Sequence, residues 1–397
     1  MTTRRRFLQA SAATAGGLII PCKRSTAEGH ACPPVPALLD PTTVAKFVEP
    51  LPIPAVLLPK GNSENAASYQ LTMTEFQQQL LPAGFPATTV WGYEGSFPGP
   101  TIEARRNKPV AVKWINELPQ THLFPVDTTL HGSEPWQPEV RTVVHLHGAH
   151  TKPQFDGYPE DWYTSNQRKN FAVFNYKNDQ EPASLWYHDH AVGNTRLNVY
   201  AGLAGLYNIR DEVEDALNLP SGAHEVPLLI QDRIFTGAGE LFYPYVSPIE
   251  TAPCPSVLPV FVGDTILVNG KSWPYLEVEP RKYRFRVVNG SNSRPYRLRI
   301  YPDATPDIPL PFHQIGTDGG LLDAPISVGG LAGPQVTVAP AERADLVVDF
   351  SASSPGDRLT LKNIGPPDFP FDPETVGLLL QFRVVESSGP DTSVLPA

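Results

Sequence analysis

Ten histidines occur in the 397 residues, and four of them form two His-x-His pairs: Val144-His145-Leu146-His147-Gly148 and Trp186-Tyr187-His188-Asp189-His190. Imidazole nitrogen is a good ligand for copper, zinc, iron and nickel. On a strand, side chains two positions apart project from one face, ~6.6–6.8 Å apart along it, so each pair offers two ligands to one side. A single pair is weak ground for a metal site. Two pairs, 41 residues apart from His147 to His188 and both in apolar runs, predict a shared metal cluster of His145, His147, His188 and His190. The other histidines (His30, His122, His131, His150, His224 and His313) have no such placement and read as surface or packing residues.

Bringing the pairs together requires neighbouring strands, and strand signals fill the chain. Runs of β-branched and aromatic residues bounded by Pro, Gly and Asn cover 88–93, 101–105, 110–118, 142–147, 185–190 and 203–209. A second series covers 226–231, 265–269, 284–289, 296–300, 335–338, 346–350 and 378–385. The two series echo one another. Pro100-Thr101-Ile102-Glu103-Ala104 precedes a strand ending Lys113-Trp114-Ile115-Asn116, and Pro274-Tyr275-Leu276-Glu277-Val278 precedes one ending Arg286-Val287-Val288-Asn289. This repetition predicts two related β-sandwich domains, 66–211 and 226–386. Residues 212–225 read as a linker with one helical turn, and 387–397 as a tail.

Composition agrees with an all-β protein. Proline numbers 45 of 397, about twice the usual ~5%, a load that long helices cannot carry. With 31 Lys+Arg against 41 Asp+Glu and no basic stripe, a nucleic-acid partner is not expected. Thr3-Arg4-Arg5-Arg6-Phe7-Leu8-Gln9, followed by the small apolar stretch 10–20, has the layout of a twin-arginine export signal ending near Ala27. Its apolar run is too short for a permanent membrane anchor, so the expected location is the periplasm or the cell exterior. Residues 28–65 form a proline-rich segment expected to wrap the surface in extended form. Cys22 would leave with the signal. Cys32 and Cys254 could pair in an exported protein, although two lone cysteines are more often unpaired or incidental than catalytic.

The residues around the histidines resemble a known family. His145-Leu146-His147-Gly148, Asp156-Gly157-Tyr158-Pro159-Glu160, Leu185-Trp186-Tyr187-His188-Asp189-His190 and Thr195-Arg196-Leu197-Asn198-Val199-Tyr200-Ala201-Gly202 are similar to the first two copper motifs of multicopper oxidases. The likeness is strongest to bacterial spore-coat laccases and bilirubin oxidases. Phe97-Pro98-Gly99-Pro100-Thr101-Ile102 resembles that family's first-domain signature, while residues 264–270 through Arg286, and Gln314-Ile315-Gly316-Thr317-Asp318-Gly319-Gly320, resemble its second domain. The resemblance runs from about residue 66 to 386. It implies cupredoxin-like Greek-key sandwiches in an oxidoreductase that couples oxidation of phenols, aromatic amines, bilirubin-like pigments or metal ions to reduction of O₂ to water. It also implies copper as cofactor: His145 on a type 2 copper, His147 and His188 on one type 3 copper, His190 on the other. Asp156 matches an acidic residue that helps supply protons to oxygen intermediates.

The family also carries a third domain with His-x-x-His-x-His and His-Cys-His motifs, and neither motif occurs in residues 1–397. In the family a type 2 copper takes two histidines and each type 3 copper three, so these four make a half-site, and a type 1 copper, which needs a cysteine thiolate with two histidines, has no ligand set here. The expected protein is thus a laccase-like chain lacking the type 1 copper domain and inactive or nearly so by itself. It would be completed, with O₂ and a small reducing substrate, by a separate third cupredoxin-like domain. The alternative from another class is a non-enzymatic periplasmic protein that uses the cupredoxin scaffold for binding or envelope assembly.

Overall fold

Buried Val110, Val112 and Trp114 alternate with half-buried Ala111 and Lys113, the two-residue period of a strand with one face in a core. The same logic repeats along the chain. The computed structural model describes residues 32–63, 66–366 and 369–395, so the twin-arginine segment and Cys22 lie outside the described residues. The strands of the first half are β1 (Gly61–Ser63), β2 (Ala66–Gln78), β3 (Thr88–Tyr93), β4 (Gly99–Arg105), β5 (Val110–Asn116), β6 (Val144–His147), β7 (Phe171–Tyr176), β8 (Ala183–Asp189) and β9 (Ala204–Arg210). Helix α1 (Thr195–Ala201) joins β8 to β9, and α2 (Glu212–Ala216) follows β9. The second half comprises β10 (Glu225–Arg233), β11 (Thr265–Val268), β12 (Lys271–Ser272), β13 (Tyr275–Val278), β14 (Lys282–Asn289), β15 (Tyr296–Pro302), β16 (Phe312–Thr317), β17 (Gly320–Val328), β18 (Val336–Val338), β19 (Arg343–Asp349), β20 (Arg358–Asn363) and β21 (Leu378–Val384).

These strands build two sandwiches, as the repeat in the sequence predicts. In the first, the sheet β1-β2-β5-β7, with β3 on β2, packs on β4-β9-β8-β6 through Trp114 of β5 against Tyr187 of β8, ring centroids 5.1 Å apart. In the second, β12-β11-β10-β14-β19-β16-β17 packs on β13-β21-β20-β15-β18 through Phe285 against Phe382 at 5.3 Å. The repeat seen in the sequence has a structural counterpart. β2 runs parallel to β5 as β10 runs parallel to β14, and β4 runs parallel to β9 as β13 does to β21. Asn116 and Asn289 close the equivalent strands alike, each accepting from the backbone N–H two residues on, an Asx turn.

The segment read as a linker has a larger part than that. Asp211 caps α2 by accepting from Glu214 N–H at 2.9 Å, and the helix buries Glu214 in a network of charge. Arg284 donates to Glu214 at 2.5 Å and to Asp345. Arg286 donates to Glu214 at 2.7 Å, to Glu225, and to Ser184 Oγ of β8 at 2.8 Å. Arg210 joins Glu225 to Glu103. Burial pushes Glu225 upward, but the guanidiniums of Arg286, Arg210 and Arg284 outweigh it and hold the carboxyl at about 2.

The proline-rich segment crosses both sandwiches in extended form. Leu39 N–H donates to Phe235, Phe47 N–H to Trp273, Leu51 N–H to Tyr275 and Leu57 N–H to Thr101. Cys32 and Cys254 are both disulfide-bonded, which corrects the leaning toward unpaired cysteines. The tail docks as well: Asp391 pairs with Lys282 at 3.0 Å and Val394 N–H donates to Asn218. Among the described residues no helix is long and apolar enough to cross a membrane.

Candidate metal centre

β6 and β8 are antiparallel neighbours whose register sets His145 opposite His188 and His147 opposite Trp186. One ring nitrogen each of His145, His147 and His188 lies within 4.8 Å of the others. His190, one residue past β8, stands outside that trio and stacks on His145, centroids 4.8 Å apart at 28°. The four histidines therefore converge as their spacing predicts, three tightly and one against the edge.

Backbone carbonyls fix three of the rings. His145 Nδ1 donates to Asp156 O at 2.6 Å, His188 Nδ1 to Asp189 O at 2.7 Å and His190 Nδ1 to Gly157 O at 2.9 Å. A carbonyl only accepts, so Nδ1 carries the hydrogen in each neutral ring and Nε2 keeps its lone pair. His147 is different. Its Nδ1 lies 3.2 Å from His188 Nε2. Burial lowers the pKa values of His145, His147 and His188. His147 falls to about 4, with the Arg343 guanidinium adding to the effect of burial. Neutral, deprotonated nitrogen is the form that binds metal.

One turn serves two of these rings. A short 3₁₀ stretch, Pro153–Phe155, ends at Asp156, and Gly157 follows at φ +74°. A Cβ on Gly157 would overlap Val144 O and approach His145 Cα to 3.0 Å. Only glycine lets the turn lie this close to β6 and present both carbonyls. The Asp156 carboxylate, half-exposed, is 3.3 Å from His145 Nδ1, so the residue singled out in the sequence meets the site through its backbone carbonyl as well.

Three partners were not foreseen as site residues. Trp186 stacks on His188 at 4.2 Å and on His147 at 5.6 Å, covering one side of the pair. Asp189, between the two histidines of the second pair, is fully buried and accepts from Val143 N–H, Ala191 N–H and Asn198 Nδ2. Burial raises its pKa to about 7. Asn198 of α1 also faces His122 Nε2 at 3.0 Å, which puts that histidine in the packing around the site, whereas His131 and His150 are exposed. The third is Arg343, taken up below.

The donor set fits a metal cluster. Two nitrogens each ~2.0–2.1 Å from one tetrahedral ion are about 3.3 Å apart, and the His147–His188 separation is 3.2 Å. Converging imidazoles, three of them with a backbone carbonyl behind the ring, are the arrangement metal-binding histidines adopt.

Comparison with known proteins decides the family. Residues 76–140 and 137–214 match the family described as multicopper oxidase. The chain is 48% identical over 353 residues to a laccase of Bacillus subtilis, an alignment covering 87% of this chain and 66% of the relative. The chain belongs to the multicopper oxidase family. A laccase of Haloferax volcanii is 41% identical, with 98% of this chain and 65% of the relative covered. Among solved structures, a multi-copper oxidase from Pediococcus acidilactici superposes with a TM-score of 0.69 at 28% identity, covering 89% of this chain and 64% of that one. The McoA multicopper oxidase of Aquifex aeolicus gives 0.68 at 28%, covering 89% and 68%. The chain thus spans slightly under two thirds of the length of the curated laccases it matches.

Proposed function

We propose that this chain carries half of the copper–dioxygen centre of an exported, laccase-like oxidoreductase. Phenols, aromatic amines or bilirubin-like pigments are its reducing substrates. The observation that carries this reading is the facing of the two His-x-His pairs across β6 and β8, with His147 Nδ1 and His188 Nε2 3.2 Å apart. His145 would hold a type 2 copper through Nε2, His147 and His188 one type 3 copper, and His190 the other. The remaining ligands and the type 1 copper would come from a further cupredoxin-like unit, on this polypeptide or another.

Bound copper supplies one-electron steps that sum to the reduction of O₂ to water. The chain's own residues do the rest. Asp156 O and Gly157 O hold His145 and His190 in the tautomer that aims Nε2 inward. Trp186 excludes water from one side of His147 and His188. The Asp156 carboxylate, within reach of His145 and half-exposed, would carry protons from solvent toward the centre. Export by the twin-arginine route places this chemistry in the periplasm or outside the cell.

The test is titration of the chain with Cu(II). The parent is expected to take up copper specifically, and His147→Ala with His188→Ala to weaken it more than ~100-fold, beyond what loss of an outer partner costs. Equal uptake by parent and double variant would remove the copper assignment and favour a scaffold protein that binds through other surfaces.

A further inference from the structure

The second sandwich supplies none of the four histidines, yet one of its side chains bonds to β8 and packs against the turn after β6. Arg343 opens β19, and its side chain is 3% exposed. Its Nε donates to Ser184 O of β8 at 3.1 Å, four residues before His188. Its Nη2 fills the space where a Cβ on Gly148 would stand, and Gly148, at φ +88°, directly follows His147. The guanidinium is itself held on the far side: Nη1 by Ala341 O at 2.9 Å and by the Asp318 carboxylate at 3.1 Å, Nη2 by Asp318 O at 3.1 Å. Asp318 also accepts from the Arg343 backbone N–H at 2.7 Å. Ala341, two residues earlier, packs on the cluster containing Trp186, the ring stacked on His147 and His188.

Resting on the copper reading above, we propose that Arg343, locked by Asp318, is a positioning residue through which the second sandwich sets the distance between His147 and His188. The planar fork, with donors spread over Ser184, Ala341 and Asp318, leaves the guanidinium one placement. That placement fixes the start of β8 and the turn after β6 relative to each other. A lysine keeps the charge but has no fork to span these acceptors. Arg343→Lys therefore separates positioning from electrostatics.

The experiment measures Cu(II) affinity and the Cu(II) electron paramagnetic resonance spectrum of the chain, per folded molecule by circular dichroism. The variants are Arg343→Lys, Asp318→Asn and a control, Arg294→Lys. Arg294 is an equally buried arginine of the second sandwich, bonded to Asp232 and Gly263 O. Arg343→Lys is expected to weaken copper binding ~10–100-fold, as loss of an outer partner does, and to change the hyperfine splitting. Asp318→Asn, at a half-exposed carboxylate, is expected to shift both in the same direction by less. Arg294→Lys is expected to lower thermal stability and leave affinity and spectrum at the parent's values. Parent-like affinity and spectrum in the Arg343 and Asp318 variants would overturn the positioning role alone. Should Arg343→Lys fail to fold, Asp318→Asn decides by the same criterion. A parent chain that takes up no copper specifically would overturn both this role and the copper reading.

Discussion

Arg286→Met is expected to cost about 3–5 kcal/mol of folding free energy, because it strips Glu225 and Glu214 of a shared guanidinium and leaves buried carboxylates short of a partner. Both acids are almost wholly inside, at 8% and 4% side-chain exposure, so water cannot replace the arginine. The effect should carry a pH signature. Glu225 sits near 2 in the folded chain against about 4.5 unfolded, so its contribution is fully present above ~4.5. It is lost as the pH falls toward ~2, about 3 kcal/mol in all. In Arg286→Met the folded-state value rises toward the unfolded one, and the decline in stability on acidification should be shallower than the parent's. Urea denaturation at pH 7, 5 and 3 measures both quantities. A variant within ~0.5 kcal/mol of the parent at pH 7 would show that the network contributes little.

Gly157→Ala should be nearly as damaging and should strike the site as well. The added methyl meets Val144 O and His145 Cα, which are backbone and cannot rotate away. The left-handed φ of +74° adds strain. Together these should destabilise the chain by about 2–4 kcal/mol. The turn can relieve the overlap only by backing away from β6, which withdraws the carbonyls holding His145 and His190. Copper affinity per folded molecule should then drop ~10-fold or more. An alanine variant that folds with parental stability and takes up copper as the parent does would refute this account of the turn.

The histidine quartet was legible because period-two geometry is local: His145 and His147, or His188 and His190, need only their own strand to share a face. Their convergence followed once β6 and β8 were neighbours. Most strands could be read for the same reason. β2 could have been, since Tyr69, Leu71 and Met73 alternate with polar residues and are buried. β7 and β17 end their sheet orders, and β17 keeps largely exposed positions, so no apolar alternation marks it. What stayed hidden are partners joined only by the fold. Nothing in the neighbourhood of Arg343 announces Gly148, almost 200 residues before it. Glu214, in an acidic, linker-like run, gives no sign that it will be buried under two arginines. The carbonyls of Asp156 and Gly157 act through backbone, which side-chain chemistry does not reveal.

The extended segment that crosses both sandwiches has a consequence for the order in which the chain can fold. It is synthesised well before most of the residues that bind it. Pro34 O waits for Tyr245, 211 residues later, Pro52 O for Asn269, 217 later, and Phe47 O for Arg383, 336 later. At about 5–20 residues per second of synthesis, tens of seconds separate the segment from the residues that bind it. During that time only the stretch around Leu57, which pairs with Thr101 of β4, has a strand to join. Contacts of such long range form late and slowly, so most of this strap closes only after the strands it binds have been built.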